Sequence, residues 1–130
     1  MNGLHSLIAL LGRILMAALF LWAGYGKLMN FSGTVGYATS AGLPMPQVGI
    51  VVAIIVELLF SILFIIGFRI RLVALVMAIF TIATAVFFHQ NVADATQLTN
   101  FMKNVAIAGG FLQVVAFGGG SYSLDNRRRR

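Results

Sequence analysis

The chain has 130 residues, 60% of them hydrophobic and only 9% charged, with a mean hydropathy of +0.97. A soluble domain of this size covers its surface with about a quarter charged residues, and three acids with nine bases cannot do that, so most of this surface faces lipid and one integral membrane domain over residues 1–130 accounts for the length. The net charge of +6 does not point to nucleic acid: four of the nine bases form the run 127–130, the rest are scattered through apolar segments, and no basic helix face or aromatic stacking platform is present.

A membrane-spanning helix needs about 20 largely apolar residues to cross about 30 Å of hydrocarbon. Residues 6–26 form the first such stretch, with Arg13 as its one charge. A cleaved signal peptide would place positive charge ahead of its apolar region. Residues 1–11 contain no Lys or Arg, so the stretch reads as a retained helix. The longest loop follows, over residues 27–46. Within it Ser32 is placed to cap a short interfacial helix closed by Gly42, with a plain surface loop as the alternative.

Pro44 and Pro46 start the second span, 47–66, whose one charge is Glu57, and Gly67 ends it. The third span, 70–88, has Arg71 at its start. The fourth, 101–117, has Lys103 near its start and stops at the glycines 118–120. The fold class expected is therefore all-α, a four-helix transmembrane bundle. Small residues form stripes suited to close helix contact, Ala74, Ala78, Thr81 and Ala85 on the third helix and Ala106 and Gly110 on the fourth.

Four spans return the chain to its starting side. Arg69, Arg71 and the run 127–130 put six bases on that side against Lys27 and Lys103 on the other. The positive-inside rule then places both termini in the cytoplasm of a multi-pass bacterial inner-membrane protein, with the longer loops in the periplasm. The terminal arginines also suit an anchor to anionic lipid.

An ionisable side chain within the bilayer costs a few kcal/mol on insertion scales and needs a partner or a task. At about 1.5 Å rise per residue, Arg13 and Glu57 fall at similar depth above the cytoplasmic ends of their helices. An Arg13–Glu57 ion pair is the economical expectation, either as a packing device or as a carrier of protons or a polar ligand. A second group lies toward the periplasmic face, where Lys27, His89, Gln90, Lys103 and Asn104 sit at helix ends. Arg13, Phe20, Gly24 and Lys27 share one face of the first helix. Together these residues suit an anionic or carbonyl-bearing ligand such as a quinone head group. Snorkelling lysines and a helix-capping histidine are the plainer alternative.

The chain has no cysteine, which removes disulfides, thiol relays, thiolate-held clusters and a cysteine nucleophile. His5 and His89 fall on opposite sides of the membrane, and no carboxylate has ligand spacing to His89, so neither a metal nor a thiol cofactor is expected.

The stretch "GRILMAALFLWAGYGKL" (12–28) resembles the first helix of the DoxX family of small bacterial membrane proteins. "AGLPMP" (41–46), the Glu57 helix, "GFRIRLVAL" (67–75), "FFHQN" (87–91), "FMKNVAIAGGFL" (101–112) and "SYSLD" (121–125) follow in the order of that family. The resemblance implies a four-helix inner-membrane protein, with relatives linked to thiosulfate oxidation with electrons passed to quinone, or to oxidative-stress complexes. On that resemblance Arg13, Lys27, Glu57, His89, Lys103 and Asn104 are the polar signature.

The leading expectation is a quinone-linked redox accessory. Glu57 and His89 handle protons, while Arg13, Lys27, Gln90, Lys103 and Asn104 contact the ligand. The chain has no evident electron carrier, so a protein redox partner is implied. The alternative is a non-catalytic membrane anchor or assembly protein. Whether the chain catalyses a reaction, and whether it forms an oligomer, stay open at this level. Four helices leave little room for alternating-access transport.

Overall fold

The computed structural model describes residues 3–89 and 91–128, and among these every regular element is helical. Helix α1 covers Gly3–Met29, α2 Phe31–Ser40, α3 Pro46–Ile66, α4 Ile70–Phe88, α5 Ala95–Phe117 and α6 Leu124–Arg128. Helices α1, α3 and α4 are long and apolar enough to cross a membrane. The long helices α1, α3, α4 and α5 form the bundle.

The core is small and aromatic at its centre. Phe111 of α5 packs against Phe20 of α1 and Phe64 of α3, with ring centroids 5.5 and 5.2 Å apart. Ala17, Ala74, Ala78 and Ala108 surround them and are nearly inaccessible. Ala74, Ala78, Thr81 and Ala85 all lie on the buried face of α4, as their spacing implies. Small side chains here let backbones approach, and dispersion between them holds helices together where lipid competes equally for apolar surface. Meanwhile Leu15, Trp22, Ile79 and Phe117 point outward, each more than 60% exposed. That inversion of soluble-protein burial fits a hydrocarbon surround.

Helices α4 and α5 run antiparallel along their lengths. Asn104 bonds to Thr81 and Thr84 close to mid-length, and Arg71 bonds to the Ala116 carbonyl near one end. Helix α5 begins six residues before the expected start at residue 101. Asp94 explains the extension: its carboxylate accepts from the Thr96 and Gln97 amides and satisfies the first turn. Hydropathy alone hid this because the added turns are polar.

Within the first loop a helix does form, but it starts at Phe31, so Ser32 lies inside its first turn and is not its cap. Its end matches the expectation. Gly42, at φ 85°, donates to Thr39, and Leu43 donates to Ala38. These are the two bonds of a Schellman stop, which needs a left-handed residue.

Candidate functional site

Helix α3 contains a π-helical stretch, Ile55–Phe60, and Glu57 lies within it. A π turn inserts a residue into the helical repeat and often marks a functional position. Opposite stands Gly24 of α1. A Cβ built there would lie 2.8 Å from the Glu57 Cβ and 2.9 Å from Leu58, so only glycine lets the two helices meet at this level. Three residues on, at the end of α1, Lys27 turns back along the bundle. Its Nζ lies 2.9 Å from Glu57 Oε1 and 3.0 Å from Oε2, and so engages both carboxylate oxygens. The Glu57 side chain is 5% exposed and the Lys27 side chain 27%.

This replaces the expected Arg13–Glu57 pair. Depth counted from each helix's own end failed because α1 extends beyond the end of α3. The register is set by Gly24 against Glu57, which places Arg13 eleven residues lower, about 16 Å along the axis. There it is buried beside the last turn of α3, donating to the carbonyls of Phe64 and Ile65 and to that of Tyr122. The final carbonyls of a helix have no intrahelical donor and carry its negative end. A guanidinium with several donors fits that position without a carboxylate.

Next to the ion pair is a cavity of about 910 Å³ between α1, α2, α3, α4 and α5. Its body is apolar, formed by Phe20, Ile50, Ala53, Phe80 and Ile107, with Lys27 and Glu57 in one wall and Asn104, Thr81 and Thr84 in another. Asn104 is held by its amide, which donates to the Thr81 carbonyl at 3.2 Å and to Thr84 Oγ1 at 3.1 Å. At the rim, Tyr37 of α2 stacks on Phe88 of α4, rings 5.6 Å apart and 17° from parallel. The short helix thus covers one side of the mouth.

His89 also lines the cavity. Its Nδ1 lies 3.0 Å from Gln97 Oε1. An amide oxygen only accepts, so in this arrangement Nδ1 carries the proton and a neutral ring keeps Nε2 as an acceptor. Gln97 was not singled out in the sequence because residue 97 falls before the hydropathic start of the fourth span. The eight-residue separation from His89 across a short turn was the signal available.

The structure therefore gathers Lys27, Glu57, His89 and Asn104 around one cavity. It does not bring Arg13 or Lys103 there. Lys103 is exposed on the outside of α5, because its neighbour Asn104 faces α4 and successive helical residues point about 100° apart. Gln90 lies outside the described residues.

An all-helical bundle with exposed apolar flanks, a half-buried ion pair and a cavity open between its helices defines a small integral membrane protein. The chain belongs to the DoxX family, whose model matches residues 8–90. It is 40% identical over 129 residues to the inner membrane protein YqjF of Escherichia coli (strain K12), covering 96% of this chain and 95% of the relative. It is 38% identical over 128 residues to the inner membrane protein YphA of the same organism, covering 95% and 91%. Both alignments extend beyond the family-model match and take in most of α5. No solved structure matches the chain significantly. It is a DoxX-family integral inner-membrane protein.

Proposed function

We propose that the cavity holds the head group of a quinone or a chemically similar carbonyl-bearing lipid, and that the protein acts as an accessory to an external redox partner. The observation that carries this reading is the combination of a large apolar cavity with the Lys27–Glu57 pair and His89 at its wall. Small-molecule sites are typically a few hundred to about 1,000 Å³, mostly apolar, with few convergent polar groups. A ring and the first part of an isoprenoid chain fit those dimensions.

Lys27 would donate toward one carbonyl oxygen while remaining paired with Glu57. His89, held through Nδ1 by Gln97, would present its Nε2 acceptor to the hydroxyl that the reduced, quinol form carries at the other end of the ring. A bound quinone supplies two-electron chemistry that consumes two protons on reduction. Glu57 and His89 would hold and relay protons, and the electrons would come from the partner protein. Asn104 is fixed by Thr81 and Thr84 and would shape the wall.

The test is quinone binding to the purified protein by native mass spectrometry and thermal shift, for wild type, His89→Ala and Glu57→Gln. The reading expects one quinone per chain that stabilises the wild type and is lost in both variants. Absence of bound quinone, with both variants merely less stable, would make these residues packing devices. The non-catalytic anchor would then be the better reading.

A further inference from the structure

A second pocket, of about 430 Å³, lies at the opposite end of the bundle, where the α3–α4 turn meets the glycine loop after α5. We propose that it binds a phosphate group, with Arg69 and Arg71 as the cationic partners, and that the phosphate belongs to an anionic phospholipid. This proposal is independent of the quinone reading.

Three observations converge. First, Arg69 stands in the left-handed region at φ 45°, a conformation unfavourable for a side-chain-bearing residue. The turn already holds a glycine, Gly67, at φ 77°. Strain retained at an arginine points to a use for its side chain. Second, Arg71 lies across the loop. Its Nη1 donates to the Ala116 carbonyl at 3.1 Å, and a Cβ built on Gly118 would be 3.5 Å from Nη2. Gly118, at φ 79°, sets no side chain of its own against that edge of the guanidinium. A guanidinium edge matches phosphate oxygens in geometry as well as charge.

Third, the one acid in the pocket is already engaged. Asp125 Oδ1 and Oδ2 accept from the Arg69 and Ile70 amides at 2.7 and 2.8 Å. Its charge therefore serves the start of α4, and an incoming phosphate belongs on the arginine side. Among the described lining residues, two guanidiniums and one carboxylate sum to a formal charge of +1. Leu72 and Phe117, 53% and 77% exposed, flank it on the helix surfaces, where acyl chains would lie. Apolar flanks beside a cationic pocket distinguish a lipid phosphate from a soluble one.

The experiment uses the full chain, delipidated in neutral detergent, titrated with phosphatidylglycerol and, separately, phosphatidylcholine, with binding read by native mass spectrometry. One phosphatidylglycerol should bind per chain, at least about tenfold tighter than phosphatidylcholine. Arg71→Gln and Arg69→Gln should each weaken it about tenfold, as expected for the loss of one charge-assisted contact. Arg127→Gln, which alters a base on α6, should change it less than about twofold. Equal binding of the two lipids, or an equal loss in Arg127→Gln, would reduce the pocket to diffuse surface charge and overturn the proposal. Glycerol 3-phosphate and inorganic phosphate form the second arm. Displacement of the lipid by either at low millimolar concentration would overturn the lipid source and leave a soluble phosphate in its place; no displacement supports the lipid. If Arg71→Gln fails to fold, Arg69→Gln, at an exposed turn position, decides alone.

Discussion

At the scale of single residues, every acid in the chain has a defined structural role. Glu57 pairs with Lys27, Asp94 caps α5, and Asp125 accepts from the first amides of α4. For the Lys27–Glu57 pair the asymmetry of buried charge gives a sharp expectation. Removing one partner strands the other, at a cost of about 3–5 kcal/mol, whereas replacing both with apolar residues of similar size is often neutral. Lys27→Met should therefore destabilise the protein strongly in reversible unfolding from detergent micelles. Lys27→Met with Glu57→Leu should recover most of that loss, and the coupling measured by the cycle is the test. The sequence marked Arg13, Lys27 and Glu57 as residues requiring explanation but matched the wrong two. What decided the match was the register between α1 and α3. That register depends on one missing side chain, at Gly24, and on the last carbonyls of α3 serving as partners for Arg13. Neither a backbone carbonyl nor a contact distance is written in a hydropathy pattern.

At the scale of elements, close approach and termination govern the site. Gly24→Ala would drive a methyl group into Glu57 and Leu58 at under 3 Å. Overpacking of this kind costs about 1–3 kcal/mol, and here it would also separate the two walls that bring Lys27 to Glu57. The variant should show lower thermal stability and weakened quinone binding together, whereas Gly26→Ala, with nothing within 4 Å, should leave helix packing unchanged and raise stability by about 0.5–1 kcal/mol. The start of α4 offers a second check. Asp125→Ala removes a cap supplied from the far end of the chain, worth about 1 kcal/mol by analogy with ordinary N-caps. Amide exchange at Ile70 should rise more than exchange in the middle of α4. The long apolar helices, the glycine stops and the small-residue stripe of α4 were readable in advance, because each follows from local composition, whereas on α5 the expected Ala106 is exposed and Ala108 is the buried alanine. The early start of α5, and Gln97 with it, depended on a single capping carboxylate that hydropathy overlooks.

At the scale of the whole molecule, the open question is how many times the chain crosses the bilayer. Three helices satisfy length and hydropathy for a span, and α5 is the more polar fourth. Three crossings would put the two ends on opposite sides, and four would put them on the same side. The packing favours four. Helix α5 is tied to the end of α4 through Gln97 and His89, at mid-length through Asn104 and near its own end through Ala116 and Arg71, so it runs beside the 19-residue α4, about 28 Å, and is expected to cross with it. Its polar residues do not forbid this, since Asn104 is satisfied by α4 and Lys103, exposed about 12 Å in from the start of α5, has a long stem to carry its charge toward the head groups. Both ends should then face the cytoplasm, where the excess of arginine at 69, 71 and 127–130 directs them. The absence of native cysteine makes the test direct, because a single cysteine added at either end is the one thiol present. In intact cells an impermeant maleimide should label neither the N-terminal nor the C-terminal variant, and both should react after the membrane is opened. Labelling of one end alone in intact cells would establish an odd number of crossings. It would place α5 outside the bilayer and overturn the four-span topology.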